Sequence, residues 1–179
     1  CAGSIADEGG ALQVQSGSVH ATEVSFVGCV ARRGGAALIL GGTSSFGRCS
    51  FTANTATEVD GGGALRVEGG SVVLEQQTHL LDNIADGAGN SIRLAAENML
   101  EYRLPAPPGH WINSLGQPTQ MLGAGNLAGF PHACSAGLDS GEMSVAAQSS
   151  PVCAGRCPAG QICGEAAVSP LECERGGYC

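Results

Sequence analysis

Three stretches of the chain repeat one short phrase: Gly9-Gly10-Ala11-Leu12-Gln13-Val14, Gly34-Gly35-Ala36-Ala37-Leu38-Ile39-Leu40 and Gly62-Gly63-Ala64-Leu65-Arg66-Val67. A degraded fourth copy follows at Gly89-Asn90-Ser91-Ile92-Arg93-Leu94. Successive copies start 25 to 28 residues apart. That is the length of one solenoid coil, a unit that buries its apolar face only against its neighbours in the stack.

Beyond each Gly-Gly turn a second short segment recurs, Ser18-Val19-His20-Ala21, Ser44-Ser45-Phe46-Gly47 and Ser71-Val72-Val73-Leu74. A third follows, Val24-Ser25-Phe26, Cys49-Ser50-Phe51 and Thr78-His79-Leu80. Three short alternating segments per unit, separated by Gly, Ser and Asn turns, predict an all-β fold, a parallel β-helix of about four coils. Each strand then bonds to its equivalent in the next coil roughly 4.8 Å away, so like positions stack. Phe26, Phe51 and Leu80 are expected to form one inward ladder, and Leu12, Leu38, Leu65 and Ile92 another. Outward positions fall to Gln13, Arg66 and Arg93, with Ile39 as the exception in the second coil.

Three residues after the aromatic position the copies read Cys29, Asn54 and Asn83. Cys1 lies ten residues before Ala11, as Asn54 lies ten before Ala64, which puts it at the same position. Stacked positions about 5 Å apart suit a disulfide, so Cys1 is expected to bond Cys29, with an Asn54–Asn83 amide stack in the next two coils. Cys49, stacked between Val24 and Thr78, reads as a buried free thiol. On this count Cys1 ends a coil whose start lies outside the sequence, and an uncovered strand edge is a template for pairing.

Composition narrows the partners. Net charge is −8, Lys is absent, and Arg32-Arg33 is the only basic cluster, which argues against a phosphate-backbone binder such as a nucleic-acid protein. No apolar run approaches the roughly 20 residues of a membrane span. Nine Cys in a Gly-rich chain point to an oxidising, secreted or cell-surface setting. The opening residues show no signal peptide, so the chain reads as mature or as part of a longer one.

The pairing of Gly-Gly-Ala-Leu with Phe51-Thr52-Ala53-Asn54 resembles the GGA(I/L) and FxxN repeats of polymorphic outer-membrane proteins and related right-handed β-helix repeats, over residues 1 to about 95. That resemblance implies a right-handed coil and says little of activity.

The period breaks at Leu104-Pro105-Ala106-Pro107-Pro108-Gly109-His110-Trp111, where three Pro within four residues favour a stiff extended segment. Beyond it, the CPAGxxC and PxxCxxGxYC layout of residues 153–179 resembles ephrin-receptor-like or GCC2/GCC3 cysteine-rich repeats. The whole order is similar to that of large surface proteins of algae and other protists. The expected division is therefore a β-helix over 1–98, a Pro-rich connector over 99–133 and a cysteine-rich module over 134–179. Its six cysteines leave many pairings open, and the working choice is Cys134 with Cys153, Cys157 with Cys173 and Cys163 with Cys179.

Zinc at Cys153, Cys157 and Cys163 ranks below the disulfide reading, because the spacing is not a CxxC pair. No cofactor is expected. Polysaccharide-acting enzymes use this architecture with converging carboxylates, whereas Asp7, Glu8, Glu23, Glu58, Asp60, Glu68, Glu75, Asp82 and Asp86 mostly fall in turns and do not recur as stacked pairs. Trp111 reads first as a plug for an open end of the stack and second as a sugar-stacking ring. Pro105-Ala106-Pro107-Pro108 would accept hydroxylation and O-glycosylation in an algal secretory pathway. The expected function is non-enzymatic: a rigid surface or fibre subunit assembling end to end through open β-helix edges, with further copies or neighbouring modules as partners. The alternative is an adhesion module binding glycan or protein.

Overall fold

The computed structural model describes residues 2–59, 61–86, 91–96, 99–112, 129–141 and 143–173. Its strands stack as a parallel β-solenoid of about three turns, with no α-helix among the described residues. The first coil carries β1 (Leu12–Val14), β2 (Ser18–Thr22), β3 (Ser25–Val27) and β4 (Val30–Ala31). The second repeats them as β5 (Ala37–Ile39), β6 (Thr43–Gly47), β7 (Ser50–Thr52) and β8 (Thr55–Ala56). The third has β9 (Leu65–Val67), β10 (Ser71–Glu75), β11 (His79–Leu81) and β12 (Ile84–Ala85). A fourth coil begins with β13 (Ile92–Leu94) and β14 (Leu100–Arg103). Each of the first three coils thus has a fourth strand that the alternation did not reveal, because two residues are too few to display a period. The ladder also runs on to Arg103, past the expected boundary at residue 98.

The two residues of each Gly-Gly pair serve different ends. Gly9, Gly34 and Gly62 have φ of +58°, +60° and +69°, where a side chain is strained. Their followers are excluded by space instead: a Cβ on Gly10 would lie 2.1 Å from the Gly35 carbonyl oxygen, and one on Gly35 2.0 Å from that of Gly63.

The core is a set of continuous columns. Phe26, Phe51 and Leu80 stack in register as expected, with the two Phe rings parallel and 4.6 Å apart. Phe46 meets both rings edge-on, at 6.1 and 5.2 Å. Cys49 sits between Val24 and Thr78, buried and free, its amide bonded to the Thr78 hydroxyl at 3.1 Å. Burial pushes its thiol pKa up.

The other predicted ladder is out of phase at one coil. Leu12, Leu65 and Ile92 share a column, but Ala37 fills it in the second coil, and Leu38 belongs to the outward column between Gln13 and Arg66. Ile39 points inward with Val14 and Val67. The second strand is likewise shifted, since Ser44 pairs with Val19 and Val72 rather than with Ser18 and Ser71.

Asn54 and Asn83 stack as expected, with Cys29 next in the column. The bond from Cys1 to Cys29 lies outside the described residues. The bridges Ala2 to Val27 and Ile5 to Val30 register Ser4 beside Cys29. The coils differ in length: Cys29 precedes Ala36 by seven residues, whereas Asn54 precedes Ala64 by ten.

After Arg103 the chain does not run free. β15 (His110–Trp111) pairs antiparallel with β17 (His132–Ala133), and β16 (Gly129–Phe130) lies antiparallel on β11, placing Phe130 beside Leu80. Phe130, Tyr102, Ile112 and Ala106 are buried with the solenoid core. The connector is pinned by Gln148, in the 3-10 turn Ala147–Ser149, whose side chain accepts from the Ala106 amide and donates to the Ala106 carbonyl, both at 3.0 Å. The Pro-rich stretch is therefore docked rather than an extended spacer, the Pro105 carbonyl also accepting from the Gln77 amide at 2.9 Å.

The tail holds the hairpin-like pairs β18 (Leu138–Asp139) with β19 (Gly155–Arg156), and β20 (Gln161–Ile162) with β21 (Leu171–Glu172). Cys134 bonds Cys153, as chosen. The pairing of Cys157 with Cys173 is overturned, for Cys157 bonds Cys163. A turn across Pro158-Ala159-Gly160, closed by the Gln161 amide on the Pro158 carbonyl at 3.2 Å, brings Cys163 back to Cys157. That bond also removes Cys163 as a partner for Cys179. Cys173 is disulfide-bonded too, and Cys179 lies outside the described residues.

Candidate docking edge

The two ends of the solenoid differ. At the C-terminal end the inward residues Ile92, Leu100 and Tyr102 are buried, and the Phe130 ring closes edge-on against Tyr102 at 5.4 Å. The Tyr102 hydroxyl donates to the Thr78 carbonyl at 2.8 Å, and burial raises its pKa far above that of a free phenol.

At the N-terminal end residues 2–8 bridge, among the described residues, to Val27, Val30 and Arg33, which covers the third and fourth sheets. β1 and β2 are left as the outermost strands of the first two sheets. The inward residues Ala11, Leu12, Val19, Ala21 and Val24 pack on the core yet remain only partly buried. At the C-terminal end β16 caps the third sheet and Leu94, Met99 and Leu104 stay partly buried; at the N-terminal end residues 2–8 form a half-lid over the third and fourth sheets.

Acidic residues line the rim of that opening, each set on an Arg of the coil behind it. Glu23 accepts from Arg48 Nε at 2.9 Å, Asp7 lies 3.6 Å from Arg32, and Glu8 accepts from Arg33. Arg48 continues to Gln76 Oε1 at 2.7 Å, and Arg33 to Glu68 at 2.7 Å. The Arg33 guanidinium holds the Glu8 carboxyl below the usual carboxylate range.

These side chains also explain Leu38. Although its column faces outward, Leu38 is fully buried and stands apart from the core cluster. Its strand neighbours are tied into one polar chain: Gln13 donates to Glu8 at 3.0 Å, Glu8 and Glu68 both hold Arg33, and Arg66 Nε donates to Glu68 at 2.7 Å. Leu38, between Gln13 and Arg66 in this column, is buried under their long side chains, which the chain of hydrogen bonds holds as a polar roof.

The remaining candidates fall elsewhere. Trp111 is half-buried on the β15–β17 ribbon, its ring 4.8 Å from His132, and it is Phe130 with Ile112 that plugs the stack. His20 and Ser45 form a hydrogen-bonded pair at 3.0 Å on an exposed strand face. The cysteines weighed for zinc are in disulfides, and among the described residues no three His, Cys, Asp or Glu side chains converge as a metal site. Phe130, Gln148 and the polar roof of Leu38 were not found from the sequence. Phe130 lies outside the repeat, and the roof is assembled from residues up to sixty positions apart.

No protein-family model matches this chain, and no curated protein or solved structure matches it either. The resemblances to outer-membrane and ephrin-receptor-like repeats rest on their motifs alone. What stands is the solenoid and the disulfide-linked C-terminal cysteines, which fit an extracellular environment. No helix among the described residues is long and apolar enough to cross a membrane.

Proposed function

We propose that this chain is a non-enzymatic structural module of a secreted or cell-surface assembly, a rigid spacer extended end to end through its open first coil. The observation that carries this reading is the row of partly exposed core side chains Ala11, Leu12, Val19, Ala21 and Val24 along the outermost strands β1 and β2, at an end that has, among the described residues, no counterpart of the Phe130–Tyr102 packing. A further parallel coil laid on β1 and β2 would take up their outer backbone groups and cover these side chains, as the second coil covers the third. A second copy is a poor source of that coil. Its third sheet already ends in the antiparallel β16, and its Asp86 would stack on Asp7.

The test is to fuse a copy of residues 32–50 ahead of Cys1, which supplies one coil in the 25-residue register of Ala2 with Val27. The expected result is a higher thermal midpoint and slower amide exchange in β1 and β2. Unchanged exchange in both strands overturns the reading. Sedimentation of the unfused chain over a concentration series checks the homotypic alternative, which requires end-to-end oligomers.

A second reading, glycan stacking on Trp111, draws on its half-exposed ring backed by His132. Quenching of Trp111 fluorescence by oligosaccharides tests it.

A further inference from the structure

We infer that the coil which docks on the open end carries arginine in register with Asp7, Glu8 and Glu23, so that the edge selects its partner by charge; this rests on the extension reading above. Along each rim column the structure follows one rule. Asp7, Glu8 and Glu23 stand in the outermost layer, and Arg32, Arg33 and Arg48 stand 25 residues later in the layer behind. Where those columns continue, the next layer is acidic or neutral: Gln76 beyond Arg48, Thr57 beyond Arg32, and Glu58 and Glu68 around Arg33. The order acid, arginine, then an acidic or neutral residue thus ends on an acid at the open edge.

The exposed side chains make that edge readable from outside. Asp7 and Glu23 are 76% and 69% exposed, each with its carboxylate engaged by Arg on one side only among the contacts described. A fresh coil stacks each of its side chains about 5 Å from the equivalent one below, close enough for like charges to repel and opposite charges to bond. Aspartate or glutamate at the three positions would place carboxylate on carboxylate, which also disfavours two N-terminal ends meeting face to face. Arginine would bond in the same way as Arg32, Arg33 and Arg48 do now. Matching apolar columns admits any β-coil to this edge, and the three charges decide which one stays.

The experiment uses three fusions of the full chain, each with the copy of residues 32–50 ahead of Cys1. One keeps the arginines that fall over Asp7, Glu8 and Glu23, the second replaces them with glutamine, and the third with glutamate. Amide exchange in β1 and β2 reports docking, and exchange in β6 and β10 verifies that the inner coils remain folded. With each exposed ion pair contributing a factor of about two, the arginine fusion is expected to protect β1 and β2 about tenfold more than the glutamate fusion at low salt. That advantage should shrink toward none at about 1 M salt, where screening acts within roughly 3 Å. Equal protection by all three fusions overturns the charge rule while leaving extension intact. Protection by none overturns both.

Discussion

Asn54 and Asn83 are joined twice: the Asn83 side-chain oxygen accepts from both the amide side chain of Asn54, at 2.8 Å, and its backbone N–H, at 3.0 Å. The column continues to Cys29 in the coil before. Asn54 Oδ1 accepts from the Cys29 amide at 2.9 Å, and each Asn side chain donates to the carbonyl of a ladder residue, Phe26 or Phe51. All of this is buried, so every group removed leaves another without water to replace it.

Replacing Asn54 with leucine should therefore cost about 3 kcal/mol or more, since it orphans the Cys29 amide and the Phe26 carbonyl together. Urea unfolding followed by circular dichroism measures it. A loss under about 1 kcal/mol would show that the column is not a stabilising element.

The Gly-Gly turns allow a sharper comparison. Gly35 has no positive φ, yet an added Cβ would lie 2.0 Å from the Gly63 carbonyl oxygen and 2.7 Å from Thr55 backbone atoms. Gly17 has φ +83° with nothing within 4 Å. Gly17→Ala should cost about 1 kcal/mol, the conformational penalty alone. Gly35→Ala should cost several-fold more, because neighbouring coils must separate. Thermal midpoints of the two variants decide the order, and equal shifts would mean that φ, not coil spacing, sets the demand for glycine.

The legible parts of the sequence were those in which one residue type suits one environment. Phe26 with Phe51, and Asn54 with Asn83, recur because an inward aromatic and a buried amide each require a like neighbour in the stack. The errors lie where residue type is ambiguous about phase. Leu38 and Ile39 are both apolar, and Ser44 and Ser45 are identical, so similarity alone aligned the second coil one residue out. The turn between the fourth strand and the next Gly-Gly pair lengthens after the second coil, a change that the likeness of the Gly-Gly phrases does not show. The pairing of Cys157 with Cys163 depends on a local turn, which cysteine spacing does not encode. Phe130 and Gln148 cap and clamp from outside the repeat, where there is no second copy to compare.

Leu38 offers a test of the polar roof. Its column otherwise holds Gln13, Arg66 and Arg93, so Leu38→Gln makes the second coil conform to its neighbours. If the column were solvated, that change would be neutral. Because Leu38 is fully buried beneath the Glu8, Arg33, Glu68 and Arg66 chain, it should instead cost about 2 kcal/mol, and Leu38→Ala about 2–3 kcal/mol. Chemical denaturation of both variants gives the answer.

Acid should loosen the C-terminal cap. His132 lies against Trp111 at 4.8 Å and against Phe130 at 5.6 Å, and burial first, then the charge of His110, lowers its pKa from the ordinary histidine value. With the folded pKa below the unfolded value of about 6.5, the unfolded state binds more protons between the two. The stability of this region is thus complete above about pH 6.5 and declines as pH falls through that window toward the folded pKa. Since the chain has one Trp, its fluorescence reports the cap directly. The emission of Trp111 should change with a midpoint below pH 6.5, and His132→Phe, which keeps the ring packing but cannot take a proton, should remove that transition. A transition that persists in the variant would assign the acid sensitivity to another group and leave His132 as packing alone.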